Sequence, residues 1–187
     1  MTLFEYMSVA ISLIVALTFA EGLRGLQCAM HPGQRYVIHV AWLFIKLSNP
    51  IIIWWSLWGY REDPEYWNFV TYSMALIVPS IVYLQMLSLV SHAPHKVPDW
   101  RKHFYDQRRW FFGLNVVLGA LVAFMWSNTL LDAPPQLFPM LGYSLLTALS
   151  IAGFVSANPK LHAVIVAVIG TFTIFFYGVL TFEPISF

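Results

Sequence analysis

YVIHVAWLFIKLSNPIIIWWSLWGY, residues 36–60, runs from Tyr36 to Tyr60 with a single charged side chain, Lys46. A helix of about 20 mostly apolar residues crosses a hydrocarbon core of roughly 30 Å, so a stretch this long and this apolar reads as a transmembrane span. Five more stretches of the same character flank it, at residues 3–27, 67–91, 110–131, 137–157 and 162–182. In a chain of 187 residues, 59% hydrophobic and only 10% charged, against roughly 25% charged in soluble domains, these leave only short connections. The expected fold is all-α, a single polytopic bundle of six spans over residues 1–187 with no separate soluble domain.

The connections fix an expected orientation. Arg24 and Arg35, then Lys96, Arg101, Lys102, Arg108 and Arg109, then Lys160 account for eight of the ten Lys and Arg residues and fall in alternate connections. Basic residues concentrate on the cytoplasmic side, so those connections are expected inside and both termini outside. Arg61 sits in an intervening loop beside Glu62, Asp63 and Glu65. Met1 to Leu3 lack the basic region of a secretory leader, so the first stretch is expected to remain as a span. Trp54, Trp55, Trp58, Tyr60, Tyr66 and Trp67 at one membrane face, and Trp100 and Trp110 at the other, read as interfacial belts. The formal net charge of +1, with no basic tail, gives no footprint for nucleic acid. Cys28 is the lone cysteine and reads as a small apolar filler.

Lys46 is the most informative side chain, lying about ten residues into its span, or roughly 15 Å at the helical rise. An unpaired charge near the midplane costs at least about 2.5–3.5 kcal/mol, so Lys46 must face protein or water. His39 lies seven residues before it and Asn49 three after, which puts the polar members on one helix face. If the first two spans form an antiparallel hairpin, Glu21 lies between His39 and Lys46 in depth. A carboxylate there can pair with either, with Arg24 competing for it. The trio is read as a structural ion pair fixing the hairpin, with a proton or ion relay as the alternative. Pro50 and Pro79 each remove a backbone bond and should kink their spans. Milder stripes read as helix packing: Glu5, Ser8 and Ser12; Gln85, Ser88 and His92; Tyr143, Thr147 and Ser150; Gly170, Thr173 and Tyr177. Asn115 and Asn128 stay undecided. An inverted repeat of three spans is not supported, because the fifth span lacks counterparts of His39, Lys46 and Pro50.

His92, His95 and His103, with Asp106, are weak metal candidates, because imidazole and carboxylate suit zinc or iron. Pro94 between the first two histidines, and the lack of a second cluster, argue against a metal site. The segment 98–112 reads better as an amphipathic helix on the cytoplasmic leaflet. Asp99 caps it, Trp100, Phe104, Trp110 and Phe111 insert, and Arg101, Lys102, Arg108 and Arg109 meet anionic headgroups. Docking of a soluble partner is the alternative for that surface. No nucleotide loop, catalytic array or paired cysteine is present, and no cofactor is expected.

Phe4-Glu5-Tyr6 followed by Ser8-Val9, with Asp99 and Arg108-Arg109-Trp110-Phe111-Phe112-Gly113, resembles a set of small uncharacterised bacterial multi-pass membrane proteins. The resemblance covers about a seventh of the chain. It implies a bacterial cytoplasmic (inner) membrane and no particular activity. The expectation is therefore a non-enzymatic accessory or scaffold subunit, with the bilayer, other membrane proteins or further copies of itself as partners. The alternative is a small oligomeric channel or ion-coupled transporter using Glu21, His39 and Lys46.

Overall fold

A computed structural model describes residues 3–58, 61, 67–125 and 137–182. Six helices follow in order: α1 (Leu3–Ala29), α2 (Val37–Trp58), α3 (Phe69–Leu89), α4 (Trp100–Phe124), α5 (Leu137–Val155) and α6 (Pro159–Phe182), with a short 3-10 turn at Pro94–Lys96 before α4. The fold is all-helical, with no strand among the described residues. Among the described residues three helices, α1, α2 and α3, are long and apolar enough to cross a membrane. The second half holds shorter apolar helical stretches at Met140–Val155 and Pro159–Phe175. Tyr60, Tyr66, the acidic loop residues Glu62, Asp63 and Glu65, Asn128, the turn at 132–135 and the tail at 183–187 lie outside the described residues.

Local chemistry sets the helix ends. Gly33, at φ 90°, takes the left-handed position that closes the turn after α1, a conformation that costs glycine little. Asn68 and Thr71 form a reciprocal capping box at the start of α3. Asp99 caps α4 as expected, accepting from the amides of Arg101 at 2.8 Å and Lys102 at 3.2 Å. Pro50 and Pro79 both lie inside helices. Two residues before Pro50, Tyr177 of α6 donates to the Ser48 carbonyl at 2.7 Å and ties α6 to α2.

Helix α2 is central, packing on α1, α3, α4 and α6, while the broadest seam joins α4 to α5. The core gathers Trp42, Leu43 and Leu47 of α2, Met86 and Leu89 of α3, Phe104, Phe111 and Phe112 of α4, and Ile165 of α6. Outward faces carry exposed large apolar side chains such as Leu13, Leu17, Phe44, Ile77, Leu141 and Phe175. Too much apolar surface is exposed in this way for water alone to be its medium.

The segment 98–112 corrects the sequence reading. It does not form a separate interfacial helix but makes the first turns of α4, continuous to Phe124. Trp100, Phe104, Arg108 and Phe111, spaced at four, four and three residues, occupy one helix face, and all four are buried. Given protein partners, these side chains pack into the bundle instead of into lipid. Trp100 and Arg108 are thus not surface anchors, whereas Arg101, Lys102, Arg109 and Trp110 are exposed.

Candidate functional site

Trp42, Lys46, Asn49 and Ile53 recur at helical spacing on the inner face of α2 and line one cavity of about 130 Å³. Helices α3, α4, α5 and α6 supply the rest of its wall. Lys46, only 4% exposed, is the one charged residue in the lining. Its Nζ donates to Gln85 Oε1 of α3 at 2.8 Å and to Asn115 Oδ1 of α4 at 2.6 Å, and sits 5.6 Å from the Phe111 ring centroid. Asn115 is oriented in turn by its Nδ2, which donates to the Phe111 carbonyl at 2.8 Å. Gln85 is fully buried, and its Nε2 has no hydrogen-bond partner among the described residues. Ser150 and Thr173 also line the cavity, but each hydroxyl donates to a carbonyl of its own helix.

The expected partner of Lys46 is elsewhere. Glu21 forms an ion pair with Arg24 on its own helix, and Arg24 Nη1 also reaches the His92 carbonyl at 3.4 Å. Matching depth on two antiparallel helices says nothing about azimuth, and Glu21 shares its face with an arginine one turn away. Among the described residues no carboxylate lies within 4.0 Å of Lys46 Nζ. His39 is separated as well. It is fully buried, stacked on Trp100 with centroids 4.9 Å apart and flanked by His103 at 6.0 Å and Phe104 at 6.1 Å. Neither of its ring nitrogens has a hydrogen-bond partner among the described residues. Of the four residues singled out on spans 1 and 2, the fold brings only Lys46 and Asn49 to one site.

His92, His95 and His103 do not converge either; among the described residues no three His, Cys, Asp or Glu side chains come together as a metal group. His103 Nε2 lies 3.1 Å from the Leu89 carbonyl oxygen, tying α4 to the end of α3. Burial pushes its imidazole below the usual histidine range, partly offset by that contact and by Asp106. Lys102 is held above the ordinary lysine range by its 2.7 Å hydrogen bond to Asp106.

No family model, curated protein or solved structure matches this chain. The chemistry of the site must therefore be read from its own atoms. A lysine amine held by two amide oxygens at an apolar cavity is a hydrogen-bond donor and, when protonated, a cation, and among the described residues Tyr143 is the other titratable side chain in the lining. Gln85 carried a signal in the sequence, as part of a polar stripe on span 3, and so did Asn115 as an isolated amide in span 4. What the sequence lacked was any reason to aim both at Lys46.

Proposed function

We propose that this chain is a non-enzymatic integral membrane protein of the bacterial cytoplasmic membrane, with six spans and both termini outside. It acts as an accessory or scaffold subunit that packs with other membrane proteins or with itself. One observation carries the reading: the most costly polar side chain of the bundle, Lys46, is bonded to neutral amides on α3 and α4 instead of joining a chain of titratable groups. A relay needs proton carriers within hydrogen-bond reach of one another. Glu21 is turned to Arg24, and His39 sits in an aromatic shell, so the trio offers no such path. The lysine instead ties three helices together, as interhelical polar bonds in membranes do.

The test is purification in mild detergent followed by native mass spectrometry. A reproducible complex with another membrane protein, or a stable homo-oligomer without ion flux in liposomes, is the expected result. The channel or transporter reading keeps one observation in its favour, the cavity beside Lys46. Conductance by the pure protein that Lys46→Met abolishes would establish that reading and remove the scaffold.

A further inference from the structure

We propose that the cavity between α2, α3, α4, α5 and α6 is a binding site for a small monocarboxylate with a compact apolar body, its carboxylate seated on Lys46 Nζ. The inference goes beyond the scaffold reading and does not depend on it.

Three features of the cavity select this chemistry. The first is charge. Lys46 is 4% exposed, and among the described residues its partners are two neutral amide oxygens with no carboxylate within 4.0 Å. A buried ammonium is stabilised most by an opposite charge in contact, and an acid and an amine together bring no net charge into the bundle. An ammonium has three donors, two of which go to Gln85 and Asn115; because Lys46 also lines the cavity, a carboxylate oxygen there can take the third.

The second feature is the wall. Ile53, Val78, Leu118, Val122, Leu146 and Phe172 face the space beyond the amine, and Ser150 and Thr173 direct their hydroxyl protons into their own helices. Ile53 lies seven residues past Lys46 on α2, about 10 Å along the axis. Asn49 and Tyr143 add two polar groups to this otherwise apolar wall, so the occupant is charged at one end and mainly apolar over the rest.

The third is size. A cavity of about 130 Å³ is close to the engineered cavity of roughly 150 Å³ that accepts benzene. This volume fits a body of about one aromatic ring or a short branched chain. A bare inorganic anion would leave the apolar wall without contacts.

The protein in lipid nanodiscs is titrated with sodium benzoate, following heat by calorimetry and the emission of tryptophan, since Trp42 lines the site. Chloride and benzyl alcohol serve as the charge-only and shape-only probes. The expected result is saturable benzoate binding at one site per chain, weakened by about tenfold or more in Lys46→Met and in Val122→Phe, which fills the apolar end without touching the amine. Chloride and benzyl alcohol should bind weaker than benzoate by a similar factor. Absence of saturable benzoate binding overturns the proposal, as does unchanged affinity in a folded Val122→Phe protein. Complete displacement of benzoate by an equal concentration of chloride also overturns it, because the apolar body would then contribute nothing. Should Lys46→Met fail to assemble, Val122→Phe and the two probe comparisons decide the matter alone.

Discussion

Lys46 shows what a single residue can and cannot announce about itself. Its depth in a span requires a buried, satisfied environment, and that much follows from the cost of an unpaired charge in hydrocarbon. The identity of its partners depends on the rotation of α3 and α4 about their axes, which brings Gln85 and Asn115 rather than Glu21 to the amine. Deleting one acceptor from a buried charged group costs roughly 1.5–3 kcal/mol, so Gln85→Leu should destabilise the bundle by about that amount. Replacing all three members with apolar residues, Lys46→Met with Gln85→Leu and Asn115→Leu, removes the charge together with its acceptors and should recover most of the loss. Reversible unfolding in dodecyl sulfate measures both; a triple variant no more stable than Gln85→Leu would contradict this account. His103 makes a second prediction at this scale. Its folded imidazole is held below the unfolded value of 6.5, so the unfolded chain binds the proton more readily once pH drops beneath that value. The stability it contributes is complete above about pH 6.5 and declines as pH falls toward the lowered folded value. The same assay between about pH 5 and 7.5 should show that decline, and His103→Gln should make it shallower.

At the scale of the element, α4 carries the main difference between expectation and structure. Its charges and aromatic residues satisfied the pattern of a helix lying on a membrane, and Asp99 marked its start correctly. The pattern of an amphipathic helix is the same whether the apolar face meets lipid or protein, so only the neighbours decide. Here His39 stacks on Trp100 and Trp42 meets Phe111 at 4.9 Å, which turns the segment inward. Further along, α4 meets α5 so closely at Gly119 that an added Cβ would overlap the Thr147 hydroxyl. Gly119→Ala should therefore cost about 1–3 kcal/mol through overpacking, and Thr147→Ala in the same chain should restore most of it. Loss of stability in the single variant without rescue in the double would place the strain in α4 itself.

For the whole molecule, the proposed orientation is open to a direct check, because Cys28 is the lone cysteine. In a Cys28→Ser background, single cysteines at Lys96 and Lys160 should react with a membrane-impermeant maleimide only after the membrane is opened, and one at Arg61 should react in intact spheroplasts. Reaction at Lys96 from outside would reverse the topology. The helices were legible because each is a long apolar run bounded by turn residues and charges, properties that depend on sequence neighbours alone. Among the described residues the helix ends lie close to the turn residues and charges that bound each run, except at the start of α4, whose first turns gained partners from α2. Glu21, His39 and Lys46 looked like one site because depth can be counted along a chain. They are three separate environments because depth is one coordinate of three. The sequence by itself determined that the chain folds as helices, that α1, α2 and α3 are apolar enough to enter a bilayer, and that Lys46 must be enclosed. Only the tertiary structure decided what encloses it, since the azimuth of each helix comes from side chains interlocking across seams such as Gly119 with Thr147, and no periodicity within one helix records the rotation of another.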